Sequence, residues 1–138
     1  MYLNYCEYIK SALEQSYPAA AIYSNLDPTR EYRGGLLVEI SEPDAPEINT
    51  FISGEEQIRR AVYVTARAET PEAAVFALEK IELKINEIFR EPPPSLIAWY
   101  IESRGTLPDA TGIVSGASFY AFFELHLIER GKSAYKRL

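Results

Sequence analysis

A chain of 138 residues that is 47% hydrophobic and 25% charged has the size and balance of one folded domain, which excludes a disordered chain. We therefore predict a single domain over residues 1–138, with a basic tail at 131–138. The formal net charge is −6; the tail carries +3, so residues 1–130 sum to −9, from 11 basic and 20 acidic residues. An acidic body of this kind argues against broad binding to phosphate backbones.

Targeting and redox features are sparse. No apolar run approaches the roughly 20 residues that span a bilayer, and residues 1–8 lack the basic start and apolar stretch of a signal peptide. We therefore expect synthesis in the cytoplasm of a cell and no membrane partner. The single cysteine, Cys6, can form neither an internal disulfide nor, by itself, a structural metal site.

The first predicted element is a helix over residues 2–16. The Tyr17-Pro18 pair ends it, because the residue before a proline avoids the helical conformation. Apolar residues at helical spacing form one stripe, which consists of Tyr2, Cys6, Ile9 and Leu13. Cys6 is thus expected to act as a small hydrophobic residue rather than as a nucleophile.

Short strands and turns are predicted next. Residues 20–24 form a short strand, and after a turn-rich segment residues 36–41 alternate as a strand that places Glu39 towards solvent. Residues 42–57 are predicted to form an acidic, proline-interrupted loop with one short extended piece at 51–52.

Residues 58–90 carry the clearest pattern, a long alternating strand that leads into a capped helix. Alternation over 58–68 predicts a half-buried antiparallel strand. Thr70-Pro71-Glu72 is a strong helix start, with a hydroxyl N-cap, a proline at the first helical position and an acid near the positive end of the dipole. The predicted buried stripe of this helix is Ala74, Leu78, Ile81, Ile85 and Ile88.

Two further strands, at 96–103 and 118–129, close the chain around a polar loop at 104–117. Strand pairs on either side of one central helix favour an antiparallel or mixed sheet with helices on one face. The predicted fold class is α+β, with a four- to five-stranded, mainly antiparallel sheet packed against two helices.

Candidate catalytic and metal-binding residues are few. His126 has no second histidine or cysteine cluster beside it, so we expect an exposed or hydrogen-bonded strand residue and no metal site. Glu39, Glu102 and Glu124 could pair as acid and base, but alternation places each of them towards solvent. The sequence also lacks a glycine-rich phosphate loop. We therefore predict no enzymatic activity and no cofactor, and assign no catalytic, cofactor-binding or metal-binding residue.

One strand face combines arginine with tyrosine: Arg59, Tyr63 and Arg67 lie on the same side of the strand at 58–68. Two interpretations stay open. The arginines can be edge-strand charges that block unwanted pairing. Alternatively the face is a subunit interface, where Arg and Tyr are over-represented.

The order of these elements resembles a known family. A helix, strands, a strand ending Val-Thr-Ala-Arg-Ala at 64–68, a helix opening Thr-Pro-Glu-Ala-Ala at 70–74 and two closing strands are similar to tail terminator (tail completion) proteins of tailed phages. These are grouped with certain phage minor capsid proteins. The similarity covers about residues 2–130 and rests on patterns rather than on signature residues.

The resemblance implies a structural virion protein without catalysis. Such a protein forms a homo-oligomeric ring, commonly a hexamer, at the head–tail junction, where it caps the tail tube and joins it to head-connector proteins. Long loops at 42–57 and 104–117 would face neighbours or the tube, which adds Arg104 and Asp109 to the interface candidates. DNA would at most pass through the ring without specific binding, since an acidic wall repels it.

A second interpretation comes from another class of protein. A small-ligand-binding or regulatory α+β module would have the same elements, with an apolar pocket between sheet and helix. An enzyme is the weakest interpretation, because the sequence shows no convergent catalytic set.

Overall fold

Two helices and six strands make up the part of the chain that the computed structural model describes. The described residues are 4–27, 30, 32, 34–108 and 119–132, of which 103, 104, 106–108 and 132 are described by their backbone alone. In chain order the elements are α1 (Tyr5–Ser16), β1 (Ala21–Tyr23), β2 (Leu37–Ser41), β3 (Glu47–Thr50), β4 (Glu55–Ala68), α2 (Pro71–Ile88), β5 (Leu96–Pro108) and β6 (Phe119–Lys132). The predicted α+β class is confirmed, and the sheet has slightly more strands than predicted.

The strands form one mixed sheet in the order β1-β2-β4-β6-β5, and β3 also pairs with β4. β4 is the central strand, because it pairs with β6 from Glu55 to Ala68 and with both β3 and β2 as well. Among the described strands the one parallel pair is β1 with β2. The interpretation of Arg59 and Arg67 as edge-strand charges is therefore wrong, since a strand paired on both sides has no edge to protect.

The predicted loop at 42–57 contains a strand and a turn. β3 occupies part of it and pairs with the first residues of β4. The extended piece expected at 51–52 is instead part of a turn, in which the Gly54 N–H donates to the Phe51 carbonyl at 2.9 Å. Gly54 has φ 87°. Because glycine adopts this left-handed region without steric penalty, Gly54 favours the turn.

The second predicted loop is also partly strand, since β5 continues past Arg104 to Pro108. A register shift between Glu102 and Gly105 breaks the alternation there. Gly105 lies against the ring of Phe122, and a Cβ at this position would be 2.8 Å from two ring carbons. Gly105 therefore allows the Phe122 ring to pack against the backbone of β5. In the sequence alone, a glycine at this position indicates the end of a strand. The predicted loop residues from 109 onwards lie outside the described residues.

Both helices pack on the same face of the sheet. Asn4 and Thr70 cap them, because their side-chain oxygens accept the Glu7 N–H at 3.3 Å and the Ala73 N–H at 3.1 Å. The predicted stripe of α2 is confirmed, with Ile88 half-buried and the other members buried. On the sheet the same core includes Val62, Val64, Ala66, Ala121, Phe123, Leu125 and Leu127. Burial of each large aliphatic or aromatic side chain contributes about 1.5–3 kcal/mol.

One charged cluster lies in this apolar layer, near the start of α1. Glu129 is fully buried, and its carboxylate accepts from Arg60 Nε at 2.6 Å and from Ser95 Oγ at 3.1 Å. Arg60 also contacts Glu42 at 3.2 Å. Burial, followed by the negative charge of Glu129, raises the pKa of Tyr5 to about 12. The cluster is therefore a buried ion pair with extra hydrogen bonds, the arrangement that offsets the desolvation of both charges.

Cys6 gives a direct test of this packing. Its side chain is 7% exposed, and burial, followed by the charges of Glu42 and Glu7, raises its pKa to about 11 from 9.0. At pH 8 we expect iodoacetamide to alkylate the folded protein about 100-fold more slowly than the urea-unfolded chain, since a thiol pKa that is two units higher lowers the thiolate fraction about 100-fold. Equal rates would show that α1 does not pack as described. The same shift predicts falling stability from pH 9 to 11, because the unfolded chain loses this proton first.

Candidate functional site

The sheet face that points away from the helices has a covered end and an open end. Parts of the β1–β2 connection cover the end next to β2. At the other end nine side chains from β4, β6 and β5 remain partly or fully exposed. We call this group the open face: Arg59, Ala61, Tyr63, Ala98, Tyr100, Glu102, Glu124, His126 and Ile128.

A buried ion pair occupies the covered end. Arg67 and Glu39 are each 1% exposed, and Arg67 Nη2 lies 3.7 Å from Glu39 Oε1. The Arg67 guanidinium also donates to the Arg30 carbonyl at 3.2 Å, bonds to the Tyr120 hydroxyl and lies 4.5 Å from the centre of the Tyr120 ring. Glu39 in turn accepts from Arg30 Nη1 at 2.6 Å and from the Asp27 N–H at 3.1 Å.

Two sequence predictions are corrected here. Glu39 does not face solvent, and Arg67 is not available as a subunit contact, because both are buried. Alternation correctly places Glu39 and Arg67 on the sheet face opposite the helices. Alternation does not reveal that Asp27 and Arg30, which follow β1, contact this end of the face, so it cannot distinguish a buried position from an exposed one there.

The open face consists of three rows across β4, β6 and β5. Strand register brings its members together, because directly opposed residues of neighbouring antiparallel strands share a face. The rows are Arg59–Ile128–Ala98, Ala61–His126–Tyr100 and Tyr63–Glu124–Glu102. Residues from three strands that are distant in sequence thus form one surface, which combines aromatic, charged and small or aliphatic side chains.

Arg59 and Tyr63 are the sequence-predicted candidates that lie on the open face. The Tyr63 hydroxyl donates to Asp44 Oδ2 at 3.2 Å. Burial, then the nearby charge of Glu124, raises the pKa of the Tyr63 phenol, and Asp44 adds to the effect. Arg59 is exposed and lies opposite Glu47 of β3. At neutral pH the open face therefore carries the neutral Tyr63 phenol and the positively charged Arg59 guanidinium.

His126 is the centre of a cluster that the sequence did not predict. Its Nε2 lies 3.1 Å from Glu124 Oε2 and 3.2 Å from Glu102 Oε2, and its ring stacks on Tyr100 at 4.8 Å between centroids. The His126 imidazole thus lies between two carboxylates that belong to neighbouring strands. The contact between Glu102 and His126 could not be predicted, because β5 contains register shifts and its pairing with β6 does not follow from alternation.

The same three side chains are of types that divalent cations accept. Their donor atoms lie within 4.8 Å of one another, but the imidazole nitrogen already contacts both carboxylates, and Glu102 is exposed. Exposed acidic groups of this kind are common without a metal. We therefore interpret the cluster as a group of side-chain contacts that fixes the orientation of His126 and Tyr100 on the open face.

A shallow hollow of about 310 Å³ borders the open face. Its walls come from the segment before β3, from the start of β3 and from β4, β5 and β6, and they include Asp44, Glu47, Arg59, Tyr100 and His126. Both signs of charge and an aromatic ring thus line one concave surface. Tyrosine and arginine are enriched in protein–protein interfaces, and acidic side chains such as Asp44 and Glu47 are typical of the polar rim around such contacts.

The other two predicted interface residues are not tested by this geometry. Arg104 lies in β5 next to a register shift, and its side chain is not among those described. Asp109 lies outside the described residues. Both stay predictions.

Comparisons with known proteins do not assign this chain to a family. No protein-family model matches it, and no curated protein matches it significantly. Of the two helices described, neither is long and apolar enough to cross a membrane. A functional proposal therefore rests on the geometry of the open face and on the resemblance in sequence pattern.

Proposed function

We propose that this protein is a structural component of a tailed-phage or prophage particle, which self-assembles into a ring, most commonly six-fold, at the head–tail junction. In this role it caps the tail tube and contacts head-connector proteins, and it performs no catalysis. The observation that carries the proposal is the open face, a surface that combines aromatic, charged and apolar side chains on the sheet side opposite the helices.

The chemistry of the open face supports a protein contact. Tyr63, Tyr100 and Arg59 belong to the residue types that contribute most binding energy in interfaces. Tyr63 and His126 are already fixed by hydrogen bonds, so few side-chain rotamers would be lost on association. The element order on which the phage resemblance rests is also present in the described residues, from α1 through β6.

The charge distribution is compatible with a ring around a DNA path. Residues 1–130 sum to −9, and α2 presents Glu72, Glu79 and Glu87 at its exposed surface. Like charges on a channel wall repel a passing DNA backbone and prevent it from being retained. The proposal therefore includes no specific nucleic-acid binding.

The small-ligand alternative also has a specific observation behind it. An apolar cavity of about 190 Å³ lies between α1, α2 and the β1–β2 edge, lined by Leu13, Ile22, Val38 and Ile81 among others. Pockets for drug-sized ligands usually measure about 300–1,000 Å³. Since this cavity is smaller, we favour assembly over storage or sensing of a small molecule.

Substitutions on the open face test the proposal. We expect Arg59→Glu combined with Tyr63→Ala to weaken self-association at least about tenfold, because truncated interface tyrosines and arginines often cost more than 1.4 kcal/mol. Sedimentation velocity over a concentration series measures the association. Circular dichroism should show an unchanged fold, since neither side chain belongs to the buried core.

Arg90→Glu provides a matched control. Arg90 is exposed, follows α2 and lies away from the open face, so the same charge reversal there should leave association unchanged. Equal loss of association in both variants would indicate a general charge effect. Unchanged association in the Arg59/Tyr63 variant would show that the open face is not the contact.

A further inference from the structure

The tip of the β3–β4 hairpin exposes a group of large apolar side chains. Ile52 is fully exposed, and Ile48 and Phe51 are 54% and 52% exposed. The tip is well defined, because the Phe51 N–H donates to the Glu55 carbonyl at 2.8 Å and Gly54 closes the turn. We call Ile48, Phe51 and Ile52 the hairpin tip. Exposed apolar side chains grouped in this way mark a contact surface rather than an ordinary solvated turn.

The apolar cavity between α1, α2 and the β1–β2 edge is the complementary feature. It has room for one or two side chains, and Phe76, which is 59% exposed, lies at its rim. Lys80 also lines it, with its ammonium 4.5 Å from the centre of the Phe76 ring. Of the described residues that line the cavity, Lys80 is the one that carries charge.

The hairpin tip cannot fill the cavity of its own molecule. Val38 lines the cavity and pairs with Ala66 of β4, whereas the hairpin turn precedes Glu55 at the start of the same strand. A strand rises about 3.3 Å per residue, so roughly 35 Å separate the two features. Any hairpin tip that occupies the cavity therefore belongs to a second molecule.

Charge complementarity favours a second copy of this chain as the occupant. The hairpin carries Glu47, Glu55 and Glu56 next to its apolar tip, while the cavity carries Lys80. An apolar contact with Lys80 at its edge, facing the acidic residues of the hairpin, would give both burial and orientation. The hairpin also continues directly into the open face, because Glu47 pairs with Arg59.

From these observations we infer that the hairpin tip of one subunit inserts into the apolar cavity of the next subunit, with Ile52 against Ala77 and Phe76. The inference rests on the proposed ring, because this contact joins two different surfaces and such heterologous contacts form rings when the rotation closes. In this contact a second copy of the chain is bound through the apolar hairpin tip, and Lys80 lies near the acidic residues of the hairpin.

Cross-linking between two variants tests the contact. Ile52→Cys and Ala77→Cys proteins are mixed and treated with a short bismaleimide, and a covalent dimer is expected in the mixture but not in either variant alone. Wild-type protein is the blank, since its single Cys6 is buried. Glu79→Cys replaces Ala77→Cys as the matched control, because it is exposed on α2 and does not line this cavity.

A second variant pair keeps the test independent of cross-linker geometry. Ile52→Asp should weaken association at least about tenfold, because it would place a carboxylate in an apolar pocket. Leu83→Asp should leave association unchanged, although Leu83 is 69% exposed on α2, because it does not line the cavity. Both substituted side chains are exposed, so the fold should persist in each variant.

The outcomes separate this inference from the proposed function. A dimer specific to the Ile52/Ala77 mixture supports both. Association without that dimer, or an equal dimer with Glu79→Cys, overturns the hairpin contact and leaves the ring proposal in place. A strictly monomeric wild type without cross-linking overturns both. A co-purifying small apolar molecule without the dimer overturns the hairpin contact in favour of a ligand pocket.

Discussion

Arg67→Ala is expected to destabilise the folded chain by about 2–5 kcal/mol, because it truncates a fully buried side chain and leaves Arg30 as the one described arginine that contacts Glu39. Glu39 is 1% exposed, and the substitution also removes the Arg67 contacts to the Arg30 carbonyl and the Tyr120 ring. Because small domains are stable by only about 5–15 kcal/mol, this is a large fraction of the total. Urea unfolding followed by circular dichroism measures the change as a lower midpoint.

Arg59→Ala is the matched control on the same strand and the same sheet face. Arg59 is exposed, so its removal should change the free energy of unfolding by no more than about 0.5 kcal/mol. Similar unfolding midpoints for Arg67→Ala and Arg59→Ala would contradict the buried pair. In that case Arg67 would be exposed at the end of the sheet face, and it would again be a candidate for the subunit interface.

Arg60→Ala should have a comparable effect on the opposite side of the sheet. The substitution leaves the fully buried Glu129 carboxylate without its 2.6 Å partner, for which we expect a loss of about 3–5 kcal/mol. Glu42→Ala removes the more accessible partner of Arg60 and should cost about 1 kcal/mol or less, since Glu42 is 17% exposed and Glu129 stays paired. Thermal or urea unfolding of the two variants gives the comparison.

A double substitution distinguishes loss of charge pairing from loss of packing. Arg60→Met with Glu129→Leu removes both charges and keeps apolar volume, so it should recover most of the stability that Arg60→Ala loses. Failure to recover would show that the cluster is held mainly by its hydrogen bonds to Ser95 and its surroundings rather than by the ion pair. An Arg60→Ala variant as stable as the wild type would refute the buried cluster itself.

The elements with strong local signals could be predicted from the sequence. α2 begins at Pro71 behind a Thr70 cap and buries the stripe that its periodicity indicates. β4 shows the predicted alternation, with Val62, Val64 and Ala66 in the core. These predictions succeed because the helix and strand propensities, the helix cap and the periodic burial of apolar residues can all be read from residues that are close together in sequence, and they agree with one another.

Elements that depend on distant partners could not be predicted. β3 is exposed along its whole length and has no apolar alternation, so nothing local distinguishes it from a loop. β5 contains Gly105 and two register shifts, and these hide both its length and the partners of its residues. The contact of His126 with Glu102 is missed for the same reason, since it depends on cross-strand register.

The structure reduces the predicted strand-face contact from three residues to two. Sequence alternation placed Arg59, Tyr63 and Arg67 on one face, and the structure divides them into an open pair and a buried residue. A combined Tyr63 and Arg67 substitution would therefore destabilise the fold, and its effect on assembly could not be separated from its effect on stability. Arg59 and Tyr63 are the substitutions that examine the interface.

Self-assembly into a closed ring is the central claim, and imaging the wild-type protein tests it most directly. Negative-stain electron microscopy over a concentration series, with the mass measured in parallel by sedimentation velocity, shows both closure and subunit number. The proposal predicts closed rings with a central opening and a single size, most commonly six-fold. Monomers at every concentration, or open filaments without closure, would contradict it.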